Sequence, residues 1–386
     1  MGATDPNPSK PESAAGTVQN FSWRQLFILF VSSRLLIYIV AGLALLGIGK
    51  STDFQPPQTI ADWFLRWDAS WYLDVVRNGY WFTGAGQPTN VGFLPLYPWC
   101  VRIVSLGGRI DPAIAAYGVS LTGLWIACVL LADLVFREWR DARLSILAVE
   151  FMLFSPVSFF FSTAYSESLF LPLVVGCLAA ARRRRWWIAG SCGLLAALTR
   201  FVGVLLVVPL AWEWLTCSRN EVGKRTLSWR TLPASMLPVV GFGIYCWMMW
   251  AKFGDPFAYF HGQQHWGRHL TWFWGAFAKH SFWSLEPFYR LWFAATLVGT
   301  FGLLIVGVIL RMPTGFAILG ITFGLVYLSG SGVEALPRYF SVVFPIYIAA
   351  ALIVKRWPVA GTPLLALSVA LQAVSVILFV NGYWFT

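Results

Sequence analysis

Residues 182–225, RRRRWWIAGSCGLLAALTRFVGVLLVVPLAWEWLTCSRNEVGKR, place an apolar run from Trp186 to Leu215 between two basic clusters. Read as one long helix, the run puts the two clusters on opposite sides of a membrane. Read as two short helices broken near Thr199 and Arg200, it returns the chain to the side it left. Short basic loops between spans keep to the cytoplasmic side, so the two-helix reading is preferred. Each helix then has about 14–16 residues, or roughly 21–24 Å, against a hydrocarbon core of about 30 Å. The break carrying Arg200 must therefore lie below the outer membrane surface.

The remaining sequence reads the same way. The chain has 386 residues, 58% hydrophobic and only 12% charged, with mean hydropathy +0.65. Hydrophobic runs of near-spanning length recur along it, as expected for a polytopic all-α membrane protein. A net charge of +11 would point to nucleic acid in a soluble domain. Here the bases gather in short loops, so topology explains them and no nucleic-acid partner is expected. The six cysteines are scattered without metal or disulfide spacing.

Residues 1–22 are predicted to be a disordered cytoplasmic N-terminus without a cleaved signal, and residues 23–386 a single transmembrane domain. Spans are expected at 24–48, 112–136, 144–161, 168–181, two within 186–215, 232–252, 290–310, 314–329, 339–354 and 358–380. This helical bundle of about eleven spans places every short basic loop in the cytoplasm. The two long loops, 49–111 and 253–289, then lie outside.

The first long loop holds the most unusual acid. Residues 62–80, DWFLRWDASWYLDVVRNGY, read as a helix whose polar stripe pairs Asp62 with Arg66 and Asp74 with Arg77. Asp68 instead faces Phe64, Trp71 and Tyr72, and a carboxylate among rings needs a polar or charged partner. Asp68 is therefore read as the chemical centre. The following GFLPLYPWCVRIVSLGG, residues 92–108, reads as an amphipathic segment lying at the interface. Glu167 at the outer end of the fourth span, Arg200 at the break and Arg338 at the outer start of the tenth are expected to share a recessed cavity. Arg34, within the first span, either snorkels or turns to a polar partner in the bundle.

Other constellations weigh less. His261, His265 and His269 recur every fourth residue and could be drawn with Asp255 as a metal site, but Gly262 and Gly267 oppose a stable helix there. Contact of these loop residues with sugar or phosphate is preferred. NGYWFT occurs at 78–83 and 381–386 and is read as aromatic anchoring rather than a repeat. Phosphate-binding loops, dinucleotide fingerprints and serine-nucleophile elbows are missing from suitable settings.

The successive motifs RWDASWYLDVVRNGY, FLPLYP, FSPVSFFFSTAYSESLF, LTRFVG, FGDPFAYFHGQQHWGR and LPRYFSVVFP resemble the PIG-V-type polytopic mannosyltransferases, including shorter prokaryotic relatives. The resemblance implies a GT-C-like fold, a polyprenyl-phosphate sugar donor, a lipid or glycan acceptor and inverting transfer on the extracytoplasmic side of a plasma membrane. It implies Asp68 as the loop acid and general base, with Glu167 as a second catalytic acid or an alternative base. Arg200, Arg338 and Arg34 become donor-phosphate ligands. Trp67, Trp71, Tyr165, Gln264, His265, Arg268 and Tyr339 become substrate-binding residues. No cofactor is required, and a divalent metal is a minor alternative. Asp74 does not complete the paired-acid pattern of other GT-C loops. The competing class is a transporter or flippase of a lipid-linked sugar, which needs the same cavity without transfer chemistry.

Overall fold

The structure, a computed structural model, describes residues 22–47, 49–51, 54, 56–217, 229–269, 271–272, 277, 285–330 and 335–383. The expected N-terminal tail thus lies almost wholly outside the described residues, as does part of the second long loop. Among the described residues the fold is all-α, with one isolated bridge between Phe82 and Thr89.

After α1 (Trp23–Gly47), the first long loop carries α2 (Asp68–Asn78) and α3 (Leu96–Val104). α4 (Pro112–Trp139) and α5 (Ala142–Leu153) follow; Asp111 and Asp141 cap them by accepting from the amides of Ala113 and Leu144. α6 (Glu167–Arg182), α7 (Trp186–Thr199), α8 (Val207–Cys217) and α9 (Leu232–Phe253) form the middle of the bundle. The second loop contains α10 (Ala258–Gln263), and the chain closes through α11 (Pro287–Ile309), α12 (Thr314–Leu328), α13 (Leu336–Phe340), α14 (Pro345–Arg356) and α15 (Gly361–Val380).

Five helical segments are long and apolar enough to cross a membrane: those containing α1, α4, α9, α11 and α15. The other expected spans are shorter. The apolar run of 186–215 does break at Arg200, which has extended backbone between α7 and a 3-10 turn at Phe201–Leu206. The expected span at 144–161 instead stops at Leu153, because Pro156 disfavours helix in the residue before it. The tenth span divides in the same way ahead of Pro345.

Helices pack through small residues, as bilayer bundles do in the absence of a hydrophobic force between helices. A Cβ at Gly190 would strike the carbonyl oxygen of Ala234, and one at Gly241 would strike that of Leu194, so α7 and α9 touch backbone to backbone. Gly190→Leu is expected to cost about 1–3 kcal/mol through overpacking. A lowered thermal midpoint in detergent would register that cost.

The two ends of the bundle differ. At one end the short turns are tied by ion pairs: Arg182 to Glu138 at 2.6 Å and to Glu213 at 3.3 Å, Arg137 to Asp133 at 2.8 Å, and Lys355 to Asp141 at 2.8 Å. Asp133 and Arg137 lie four residues apart on α4, the spacing at which helical side chains meet. α7 and α12 leave this basic end, and α6 and α14 return to it from the end where Glu167 and Arg338 lie.

Two expectations for the first loop need correction. Residues 62–80 are not one helix: a 3-10 turn at Ile60–Phe64 precedes α2, which begins at Asp68. Asp62 accepts from the Thr59 amide at 2.8 Å, and Arg66 donates to the Val380 carbonyl at 2.8 Å, so they do not pair. Local amides and the electronegative C-terminus of α15 win over an i,i+4 contact. Asp74 likewise accepts from Asn78, the Trp81 indole and Asn90, each at 2.7 Å, in place of a geometric pair with Arg77. α3 is a helix with two unlike faces: Tyr97 and Val101 are buried while Ile103 and Val104 are exposed.

Candidate active site

Four charged side chains meet where helices end. Glu167 is the first residue of α6, where the helix dipole favours a carboxylate. Arg200 occupies the break after α7, and Arg338 sits on the short α13. Asp68 opens α2 behind Trp67, whose φ of 49° is a left-handed value rare for a large side chain. That turn is held from outside. Trp67 packs edge-on against Phe379 with centroids 4.7 Å apart, Ser70 donates to the Trp67 carbonyl at 2.7 Å, and Tyr165 donates to the Arg66 carbonyl at 2.9 Å.

Asp68 Oδ2 lies 2.6 Å from Arg338 Nη1. Glu167 Oε1 lies 3.1 Å from Arg338 Nε and 2.5 Å from Arg200 Nη1. One arginine thus bridges two carboxylates, the partner that the ring-bound Asp68 required. Arg338 Nε and Nη1 are buried against these two carboxylates. Burial raises the Asp68 pKa, but Arg338, Arg268 and Arg200 outweigh it and hold the carboxyl below its ordinary value. Asp68 is therefore ionised at neutral pH.

Asp68 and Glu167 differ in access. The Asp68 side chain is 29% exposed and lines a cavity of about 1140 Å³, whereas Glu167 is 1% exposed and lies beneath it. Arg200, Arg268 and Arg338 line the same cavity. Tyr339 organises all three: both Arg200 and Arg338 lie 5.2 Å from its ring centroid, and its hydroxyl accepts from Arg268 at 2.9 Å. Three guanidiniums against two carboxylates leave a local excess of positive charge for an anion.

Among the residues singled out from sequence, Asp68, Arg200, Arg338, Trp67, Trp71, Gln264, Arg268 and Tyr339 reach the cavity. Arg34 does not. It donates to the carbonyls of Leu153 and Ser158 at 2.9 and 3.0 Å and to the Ser162 hydroxyl at 2.8 Å, satisfying backbone freed where α5 stops short. Tyr165 is fully buried and serves the Asp68 turn and the Arg338 guanidinium, 5.0 Å from its ring. His265 is exposed and rests edge-on against Trp266 instead of facing the cavity. His261 pairs through Nδ1 with Asp255 Oδ2 at 2.6 Å, and no group of three or more His, Cys, Asp or Glu among the described residues could hold a metal. Sequence reading missed Phe93, Tyr259, Gln263, Trp266 and Tyr327 in the lining. Gln263 and Trp266 stand beside residues already chosen, but nothing in FHGQQHWGR says which of its side chains turn inward.

Residues 51–217 match the Mannosyltransferase (PIG-V) family. That stretch contains Asp68, Glu167 and Arg200; Arg268 and Arg338 lie beyond it. The chain is 28% identical over 174 residues to GPI mannosyltransferase pigv-1 of Caenorhabditis elegans, covering 39% of this chain and 25% of that protein. It is 32% identical over 178 residues to GPI mannosyltransferase 2 of Chaetomium globosum, covering 39% of this chain and 38% of that one. The matches therefore span well under half of either relative.

Solved structures extend the likeness to the whole fold. ArnT from Cupriavidus metallidurans, bound to undecaprenyl phosphate, superposes with a TM-score of 0.57 at 17% identity, covering 92% of this chain and 64% of that one. The Archaeoglobus fulgidus oligosaccharyltransferase tethered to an acceptor peptide gives 0.50 at 13% identity, covering 94% and 56%. The chain has the GT-C fold.

Proposed function

We propose that this protein is a mannosyltransferase that moves a mannosyl residue from a polyprenyl-phosphate donor to a lipid or glycan acceptor, with inversion. The observation that carries the reading is the juxtaposition of Asp68, ionised and open to the cavity, with the guanidiniums of Arg338, Arg200 and Arg268. An acceptor hydroxyl attacks the anomeric carbon as its proton passes to Asp68; the bond from that carbon to the phosphate oxygen breaks, and the arginines hold the phosphate that leaves. The three guanidiniums line the cavity in which those phosphate oxygens would sit.

Glu167, sealed below the cavity, fits the role of a fixed counter-charge that positions Arg200 and Arg338 better than that of a base. The leaving group is a phosphomonoester stabilised by arginine, so transfer is expected to survive chelation of divalent metal. The basic turns opposite the cavity support a site on the side of the membrane away from the cytoplasm.

The reading is tested with purified protein in lipid, radiolabelled polyprenyl-phosphate mannose and a panel of acceptors. Label is expected to move to an acceptor. Movement of labelled donor across liposomes, with no transfer to any acceptor, would replace this reading with the transporter.

A further inference from the structure

A second groove, of about 290 Å³, runs along α6 and shares no residue with the cavity at Asp68. Its floor is one face of that helix: Leu169, Leu173, Gly176 and Ala180 recur at the three- and four-residue spacing that stacks side chains, and Arg183 continues the row into the turn. α4 and α7 form the walls, since a Cβ at Gly176 would lie 3.5 Å from both Leu130 Cδ1 and Cys192 Sγ. Ile126 and Ile188, which also line it, are exposed, so the groove opens on the apolar outer surface of the bundle.

Only the basic end of the groove is charged. There α6 closes with the Arg185 amide donating to the Ala180 carbonyl at 2.9 Å and the Arg184 amide to that of Ala181 at 2.8 Å, and Arg184 takes the left-handed position at φ 57°. Arg183 and Arg185 line the groove, while Arg184 between them does not. Their charge is not balanced by acids. Asp133 is shared between Arg183 and Arg137, Glu138 is taken by Arg182, and Arg185 forms no ion pair among the described residues.

We propose that this groove holds one anionic phospholipid of the leaflet at the basic end, with its phosphate on Arg183 and Arg185 and an acyl chain along α6. Leu169 to Arg183 spans about 21 Å of helix, against about 15 Å for one leaflet of a hydrocarbon core of about 30 Å, so the groove is long enough for a chain. Two guanidiniums at its end supply charge-assisted donors to a phosphate, and basic pockets between membrane helices are a recurrent setting for anionic head groups. A zwitterionic lipid brings its own ammonium to the same place and gains less. The polyprenyl-phosphate donor is another lipid anion, but on the reading above its phosphate sits with Arg200 and Arg338, about 24 Å of helix away at the other end of α6. By bridging α4 and α7 the phospholipid stabilises the folded bundle, the only state that offers the groove.

Purified protein in a neutral detergent is titrated with phosphatidylglycerol, phosphatidylcholine of the same chains, polyprenyl phosphate and inorganic phosphate, with bound lipid counted by native mass spectrometry beside the thermal midpoint. Phosphatidylglycerol is expected to give one preferred adduct and a raised midpoint, binding about tenfold or more tighter than phosphatidylcholine. Arg185→Gln should weaken it by about tenfold. Arg184→Gln removes the same charge from the same turn but not from the groove, and should weaken it by no more than about threefold. Gly176→Leu fills the floor, keeps every charge and should also weaken it by about tenfold, with the lipid-free midpoint near wild type. Should that variant fail to fold, the two exposed arginines decide alone. Equal losses in Arg184→Gln and Arg185→Gln would reveal a diffuse basic surface and overturn the site, as would unchanged affinity in a folded Gly176→Leu or the same midpoint shift from inorganic phosphate. Polyprenyl phosphate displacing phosphatidylglycerol in wild type but not in Arg185→Gln would give the groove to the donor and overturn the phospholipid.

Discussion

Asp68→Asn is expected to abolish transfer, lowering kcat/KM by about 10²–10⁴-fold, the range supplied by a positioned general base. The amide matches the carboxylate in shape, so the Trp67 turn and the start of α2 should survive, and the thermal midpoint should move little. What disappears is the capacity to take a proton and the negative charge beside Arg338. Donor binding should therefore be retained or tightened, because Arg338 would no longer share its charge with Asp68. Turnover within about tenfold of wild type would remove Asp68 as the base. Glu167→Gln makes the informative contrast: its carboxylate does not reach the cavity, so its loss should first disturb donor binding and stability.

The sequence carried the architecture because bilayer rules act on whole segments. The break at Arg200 was legible from two basic clusters that had to lie on one side. The recess was legible from helices too short to cross. Asp68 stood out because its near neighbours offered it no cation. The pairs expected around it were wrong in detail, since i,i+4 spacing says nothing about whether the helix is continuous or whether a distant carbonyl such as that of Val380 competes. Arg34 shows the same limit. An arginine at lipid depth must find acceptors, but whether those are substrate oxygens or backbone freed by Pro156 depends on contacts made more than a hundred residues away. Trp266 and Gln263 were illegible for a related reason: loop side chains follow no period that marks an inward face.

Arg338→Gln should separate the two tasks assigned to this arginine. As a phosphate ligand its charged contacts are worth about 1.5–3 kcal/mol, so donor affinity should fall by roughly ten- to a hundredfold. As the cation nearest Asp68 it keeps the carboxyl ionised. In wild type the low Asp68 pKa places the acid limb of kcat/KM below the ordinary carboxylate value of about 3.9, leaving a flat profile from neutral pH down to pH about 5. Removing Arg338 leaves the burial that raises the Asp68 pKa and takes away the strongest opposing charge. The base then protonates at higher pH, and the variant should lose rate as pH falls across a range where wild type is level. Arg338→Lys keeps a charge and should leave the limb near its original position while still weakening the donor, because one ammonium cannot reproduce the guanidinium's bridge between Asp68 and Glu167. It also controls for folding, since Gln leaves Glu167 with Arg200 alone. A profile for Arg338→Gln that is lower than wild type but identical in shape would mean that Arg338 holds phosphate without setting the protonation of Asp68.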